Sequence, residues 1–411
     1  MKLEPWSPVN EQEIIDAENR LMANVFAKKP VVITRGKGAV VWDVNGKEYV
    51  DCTGSYGVAL FGHSHPKIVE AICKQAEKLI SCHAGYYNDK RTEFLQKLTS
   101  ITPKGLDKAF LSNSGAESVE CAIKLARKYS GKPEIIAVMG AFHGKTMGAL
   151  SATWDKKYRE PFQPLVPEIK HVPPDNLEKA REAVSEKTAA FLVEPIRGEG
   201  GIRVPPEGFL KGLRELCDEK NILLIFDEVQ TGFRRTGKLF ACEHWGVIPD
   251  VMCLAKPLAG GLPLGATVAR ADVMSSLKVG EHSTTYSGNP LVCAAGCAAI
   301  DVLLEEKLAE RASTLGGYFK SELEKLQSKH RIVKEVRGLG LMLGMEMKFE
   351  VLNTLLKAMD RGVLVLDAGR NVLRFLPPLV ISKEQIDKAI SVLDKVMEEE
   401  ENARPSGTTA N

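Results

Sequence analysis

Two successive apolar runs in the middle of the 411-residue chain end on an acid and an amine. Asn221 to Phe226 reads N-I-L-L-I-F and stops at Asp227; Asp250 to Ala255 reads D-V-M-C-L-A and stops at Lys256. Aliphatic residues fill nearly every position of the first run, as in a parallel strand buried on both faces. Open α/β sheets bind their ligands at the carboxyl ends of such strands. Neighbouring strand ends would therefore aim a carboxylate and an amine into one crevice. A lysine that forms a Schiff base with pyridoxal phosphate needs a carboxylate of this kind, which keeps the pyridine nitrogen protonated and the ring an electron sink. Taken alone, the pair is more readily a turn-starting aspartate and a solvated lysine, since strand-end acids and lysines are common.

Three further stretches carry chemistry. Ser112-Asn113-Ser114-Gly115-Ala116-Glu117 follows the short apolar run Ala109 to Leu111 and opens a helix to Tyr129. Small residues there let backbone amides approach a phosphate at a positive helix N-terminus; a purely structural N-cap is the alternative. Phe142-His143-Gly144-Lys145 follows a strand from Glu134 to Met139, where an aromatic ring either stacks on a flat ligand or packs in the core. Glu194-Pro-Ile-Arg-Gly-Glu199-Gly-Gly and Arg374-Phe-Leu-Pro-Pro add an acid and an arginine whose plainest reading is an inert ion pair.

The elements that must position these residues alternate. A helix is expected from Val9 to about Ala27 with Asn10 as its cap, then short strands from Pro30 to Tyr49 with a hairpin turn at Val44 to Lys47. Asp51 to Pro66 is Gly-rich and expected to be irregular. Helices are expected over Pro66–Ser81 and Arg91–Ile101. From there to about Ala269, short apolar runs and helical patterns alternate regularly, the signature of βαβ units around a parallel sheet. Beyond Asn289-Pro290 the pattern becomes helices at about 290–306 and 310–329, strands within 333–347 and 363–376, and a last helix at 383–401. That organisation predicts an N-terminal segment (residues 1–50) joining a small α+β domain (289–402), a large domain (51–288) and a disordered tail (403–411).

Bulk composition excludes several partners. Lys and Arg number 55 against 53 Asp and Glu, which leaves no electrostatic footprint for nucleic acid. No apolar run is long enough to span a membrane, and a cytoplasmic location is expected. The nine cysteines lack zinc-ribbon or C-x-x-C spacing and are expected to be free thiols. His63-Ser64-His65 reads as a turn, and no metal site is expected.

D-E-V-Q-T-G-F-R-R-T-G-K at Asp227 to Lys238, P-D at Pro249-Asp250 and the lysine at 256 resemble the class III (ω-type) pyridoxal-phosphate aminotransferases, and similar blocks run from about Gly36 to Ser382. The resemblance implies an α/β enzyme of fold type I, aspartate aminotransferase-like, with a mostly parallel seven-stranded sheet in its large domain and a smaller α+β domain. It implies pyridoxal 5'-phosphate bound by Ser114, Gly115 and Ala116 at its phosphate, by Phe142 and Val229 on its ring faces, by Gln230 at its phenolic oxygen and by Asp227 at its nitrogen, with His143 in the same set. Lys256 would carry the coenzyme and shuttle the proton. Thr285 would reach the phosphate across a homodimer interface, alone or within a dimer of dimers. Arg374 would take the α-carboxylate of 2-oxoglutarate by a two-pronged contact, with Glu199 covering it during the other half-reaction. Lys145, Thr284 and Phe26 are placed with the substrate, and Glu194 near the lysine.

H-G-K-T-M-G-A-L-S-A-T-W, K-Y-R-E-P-F-Q-P-L-V-P and V-R-G-L-G-L-M-L-G look most like acetylornithine aminotransferases and relatives that act on lysine or ornithine attached to the carrier protein LysW. The implied reaction moves the ω-amine of an N-acylated ornithine or lysine to 2-oxoglutarate, giving a semialdehyde and glutamate, in arginine or lysine biosynthesis. A 4-aminobutyrate or free-ornithine aminotransferase is the alternative, a pyridoxal-phosphate aminomutase a remoter one, and a non-catalytic binding protein is disfavoured by the intact lysine and aspartate. Lys145 stands where the family usually has arginine, and a point charge grips a carboxylate less selectively than a planar fork. Phe26 stands where ornithine-type enzymes tend to have tyrosine. Pro257 directly after the lysine is also unusual, stiffening the turn and removing an amide donor.

Overall fold

The computed structural model describes residues 10–404. The first helix, Glu11–Leu21, is capped by Asn10, whose side-chain oxygen accepts from the Glu13 amide at 3.0 Å. It is shorter than expected because Met22 is already extended, and Val9 lies outside the described residues. So does the expected tail from residue 405 on. Strands β1 (Ile33–Lys37), β2 (Val40–Asp43) and β3 (Glu48–Asp51) then pair antiparallel. The hairpin turn at 44–47 forms because the Asp43 carboxylate accepts from the amides of Asn45 and Lys47 at 3.0 and 2.9 Å. Residues 51–66, expected to be irregular, contain one tight turn of left-handed backbone at Gly54–Gly57, and the helix after it ends at Ala76 rather than Ser81.

The central sheet comprises β4 (Lys108–Ser112), β5 (Glu134–Val138), β6 (Ile169–Val172), β7 (Thr188–Val193), β8 (Leu223–Asp227), β9 (Val251–Leu254) and β10 (Gly265–Ala269), in the order β4-β10-β9-β8-β7-β5-β6. The five strands β9, β8, β7, β5 and β6 run parallel, while β10 is antiparallel to both its neighbours. Strand β8 begins at Leu223 rather than Asn221. Asn221 is instead the left-handed cap (φ 51°) of helix Phe209–Lys220, a conformation that asparagine tolerates.

Helices cover both faces of this sheet, so its central strands are apolar throughout. Leu224 and Phe226 of β8 pack with Leu213 and Leu216 of helix Phe209–Lys220 on one face. Leu223 and Ile225 pack with Val119, Ala122 and Ala126 of helix Gly115–Ser130 on the other. Each of the leucine, isoleucine, valine and phenylalanine side chains stabilises the fold by roughly 1.5–3 kcal/mol, and Phe226→Ala would cost about 3–5 kcal/mol with its cavity.

Four antiparallel strands form the third sheet, ordered β11 (Val333–Leu339), β12 (Met342–Met347), β15 (Val372–Phe375) and β14 (Leu366–Asp367). Between them in the chain, β13 (Val363–Leu364) pairs in parallel with β3 and so ties the N-terminal strands to the C-terminal segment. Helices Leu308–Lys329 and Lys383–Asn402 flank this part. No helix among the described residues is long and apolar enough to cross a membrane. All nine cysteines are free.

Candidate active site

Strand ends deliver the site. Asp227 is the last residue of β8, and its Oδ2 lies 2.8 Å from His143 Nδ1 while Oδ1 accepts from the Val229 amide at 3.1 Å. His143 stands on the loop after β5, where its own amide donates to Thr153 Oγ1 at 3.0 Å. Lys256 follows β9, and β8 and β9 are adjacent and parallel, with Asp227 opposite Cys253. Acid and lysine consequently line one cavity of about 400 Å³. The lysine is held at φ 47°, a left-handed backbone that costs a non-glycine residue roughly 1–2 kcal/mol, and Pro257 begins the turn it opens. Burial pushes the Lys256 ammonium below its ordinary pKa, against the pull of the nearby Glu199 and Asp227 charges.

A helix N-terminus forms another wall. Ser114 caps helix Gly115–Ser130 by accepting from the Glu117 amide at 3.2 Å, and Glu117 reaches back to the Asn113 amide at 2.8 Å. A Cβ on Gly115 would stand 2.8 Å from Val229 Cγ1, so only glycine lets this backbone close on Val229. Glu194 braces the loops on the far wall, accepting from the Phe142 amide at 2.8 Å and the Gly198 amide at 3.0 Å. Burial raises its carboxyl to about 7.

At the remaining edge, Arg374 of β15 is fully buried. Its Nη1 donates to Glu199 Oε1 and, at 3.5 Å, to Gln230 Oε1, while its Nε and Nη2 have no partner. The Tyr56 ring centre lies 5.5 Å from its guanidinium carbon.

Of the residues expected at the site, Ser114, Gly115, Ala116, Phe142, His143, Glu199, Asp227, Val229, Gln230 and Lys256 line this one cavity. Arg374 stands behind Glu199. Lys145 is exposed at the rim, its Nζ 4.8 Å from the centre of the Tyr158 ring, and that ring meets Phe142 edge-on at 5.8 Å. Thr284 Oγ1 accepts from Asn113 Nδ2 at 3.0 Å, whereas Thr285 is exposed. Phe26, 59% exposed, lines a different hollow beside Ile14, Ile15 and Val31. Two other acids of the quoted motifs are structural. Glu228 accepts from the amides of Ala241 and Cys242 at 3.1 and 2.8 Å, and Asp250 accepts from the Leu224 amide at 2.8 Å. His63 pairs with Asp51 at 2.7 Å and His65 with Glu306 at 3.2 Å. No acid, cysteine and histidine cluster among the described residues could hold a metal.

Sequence reasoning passed over Tyr56 and Tyr158. Tyr56 lies in a run of four left-handed residues, Gly54 to Gly57, with φ of 52°, 51°, 59° and 87°. Backbone strain of this kind concentrates at functional sites. The G-S-Y-G spacing was the available signal, since glycines on both sides permit such a run.

An amine and an acid at adjacent strand ends, with a helix N-terminus opposite, suit a ligand that has an anionic group, a flat ring and a ring nitrogen. This is the arrangement of a pyridoxal-phosphate enzyme on an open α/β sheet. Residues 22–397 match the family model for aminotransferase class-III. The acetylornithine aminotransferase of Methanopyrus kandleri is 48% identical over 94% of this chain and 98% of its own length. The [LysW]-aminoadipate semialdehyde transaminase of Deinococcus radiodurans is 47% identical over 94% of this chain and 91% of its own. Among solved structures, the ornithine aminotransferase of Toxoplasma gondii superimposes with a TM-score of 0.92 at 37% identity, covering 98% of this chain and 97% of that one. This chain belongs to the class-III aminotransferases and is a pyridoxal-phosphate-dependent transaminase.

Proposed function

We propose that the enzyme moves the ω-amino group of an N-acylated ornithine or lysine to 2-oxoglutarate, giving the semialdehyde and glutamate in arginine or lysine biosynthesis. One observation carries this reading: a fully buried arginine whose Nε and Nη2 lack partners, covered at Nη1 by the partly exposed carboxylate of Glu199. Two buried N–H donors left over suit the two oxygens of an α-carboxylate. Those donors do not line the cavity, whereas Glu199 does, so an amine on a side-chain carbon enters while Glu199 covers the arginine, and an α-keto acid reaches the guanidinium once Glu199 is displaced. One cavity thus serves two substrates in turn, as a transaminase requires and an aminomutase does not.

Ser114, Gly115 and Ala116 would hold the coenzyme phosphate at the helix N-terminus, Phe142 and Val229 its ring faces, Gln230 its phenolic oxygen and Asp227 its ring nitrogen. Bound pyridoxal phosphate supplies a carbonyl that takes up the substrate amine and a ring that draws electron density from the substrate carbon. His143 keeps the Asp227 carboxylate oriented. Lys256 would take the proton from the substrate carbon and hand it to the coenzyme carbon that had carried the carbonyl oxygen; its depressed pKa favours the neutral amine this needs. Lys145, at the rim, would draw in the distal carboxylate of the acylated substrate.

A homodimer is part of the same proposal. Thr285 is exposed and free to reach a neighbouring subunit's phosphate cradle, and Ile80, Tyr86, Tyr87 and Tyr286 are exposed apolar side chains that a second copy would cover. The free cysteines fit a cytoplasmic location, and the named activity of the Deinococcus relative makes a LysW-type carrier a candidate donor of the amine. Free ornithine is the second reading, favoured by the structural likeness to ornithine aminotransferase.

The deciding experiment follows the coenzyme's visible band while the purified holoenzyme meets N-acetylornithine, N-acetyllysine, carrier-bound lysine, ornithine or 4-aminobutyrate. Bleaching by N-acylated amines supports the first reading. Bleaching best by ornithine or 4-aminobutyrate replaces it.

A further inference from the structure

Glu199 sits on a loop whose backbone is fixed on both sides, and the sheet that carries Arg374 supplies much of the fixing. The antiparallel register puts Arg337 of β11, Gly344 of β12 and Arg374 of β15 in one row, so two arginines rise from one face with a glycine between them. Ile202, fully buried, fills the gap: a Cβ on Gly344 would stand 3.1 Å from Ile202 Cβ. Ile202 is held at φ 54°, which a β-branched residue adopts only under restraint.

Arg337 supplies part of that restraint. Its Nε donates to the Gly201 carbonyl at 2.8 Å, and its Nη1 donates to Glu346 at 2.8 Å and Glu335 at 2.6 Å. Glu346 lies two residues along β12 from Gly344, and it also accepts from Arg203 at 2.6 Å and Lys334 at 2.6 Å. Burial by itself would raise the Glu346 carboxyl, but Lys334 and Arg337 bring it down to about 2, so the network stays charged at working pH. On the near side of the loop, the Gly198 amide is tied to Glu194. Glu199 therefore stands between two pinned stretches of backbone.

We propose that Arg337, held by Glu346, is a positioning residue for the α-carboxylate end of the site: by pinning Gly201 and Ile202 beside Arg374, it keeps the Glu199 carboxylate within reach of that arginine and so sets how firmly the arginine is closed to α-amino acids. The proposal rests on the reading of Glu199 and Arg374 as a gate. Loosening the anchor should open the gate partway without touching any group at the reacting atoms.

The holoenzyme and its Arg337→Lys, Gly344→Ala and Glu199→Ala variants are compared in single half-reactions, with glutamate and with N-acetylornithine or ornithine, whichever reacts. Lysine keeps the charge near Glu346 but cannot bond Glu346 and the Gly201 carbonyl together. Gly344→Ala removes no charge and pushes on Ile202 from beneath, so it carries the test should Arg337→Lys fail to fold. The expected result is a rise of about fivefold or more in the glutamate-to-ω-amine rate ratio for both variants, with little further rise when Arg337→Lys is combined with Glu199→Ala. Equal slowing of both half-reactions, or full additivity with Glu199→Ala, overturns the anchor. If Glu199→Ala alone leaves the ratio unmoved, the gate beneath it falls instead.

Discussion

Glu199→Ala is the sharpest probe of the proposed gate. The Arg374 side chain is fully buried and that of Glu199 is 26% exposed. Stripping one partner from a fully buried ion pair costs about 3–5 kcal/mol. Partial exposure of the glutamate and the adjoining cavity reduce that to about 1–2 kcal/mol, a fall of a few degrees in Tm for a chain of this length. The guanidinium would then meet an incoming α-carboxylate with no competitor. A hydrogen bond to a charged group contributes about 1.5–3 kcal/mol, and 1.4 kcal/mol is tenfold in affinity. The glutamate-to-ω-amine rate ratio should rise by about ten- to a hundredfold. Stopped-flow absorbance of the coenzyme band in the two half-reactions measures it directly. A ratio unchanged within about twofold, in a variant that folds and holds coenzyme, would refute the gate and leave Glu199 and Arg374 an inert pair.

Substitutions at four other positions test the remaining roles. Lys256→Ala should lower turnover by at least about a thousandfold and shift the visible band of bound coenzyme, and unchanged turnover would overturn its assignment. The same lysine makes stability of the coenzyme-free chain rise with pH, from its depressed folded pKa up to 10.5, because the unfolded chain binds the extra proton across that window; urea melts at several pH values should lose this slope in Lys256→Met. Asp227→Asn should slow the half-reactions by about a hundredfold or more while coenzyme still binds, as followed by single-turnover absorbance. Glu194 works in the opposite sense to Lys256: its folded pKa of about 7 lies above 4.5, so stability falls as pH rises between the two, by roughly 3 kcal/mol, and Glu194→Gln should flatten that fall in denaturant titrations. Gly115→Ala should weaken coenzyme affinity by about tenfold, measured by equilibrium titration, because its Cβ would stand 2.8 Å from Val229 Cγ1.

Much of the site was legible before any coordinates because the residues concerned sit at element ends, and element ends leave local marks. Asp227 and Lys256 close apolar runs of strand length; Ser114 precedes a helix and has its capping partner Glu117 three residues on. Strand periodicity and cap chemistry are short-range, so a sequence displays them directly. Boundaries were less secure where a local preference had a competitor. Asn221 looked like the start of a strand but serves as a left-handed helix cap, and residues 22–27 carry helical spacing without forming helix.

The sequence by itself determined that an aspartate and a lysine each end an apolar run of strand length, the position at which open α/β sheets bind ligands; that the two strands lie side by side is strand order, which the tertiary structure supplies. The sequence also determined, through motif resemblance, the family and the coenzyme. Tertiary structure decided which partner each functional group has. That His143 orients Asp227 across 84 positions, that Glu194 braces Phe142, that Tyr56 stands by Arg374 and that Arg337 pins the Glu199 loop are long-range facts. They depend on strand order and register, which bring together residues far apart in the chain, and local periodicity carries no record of either.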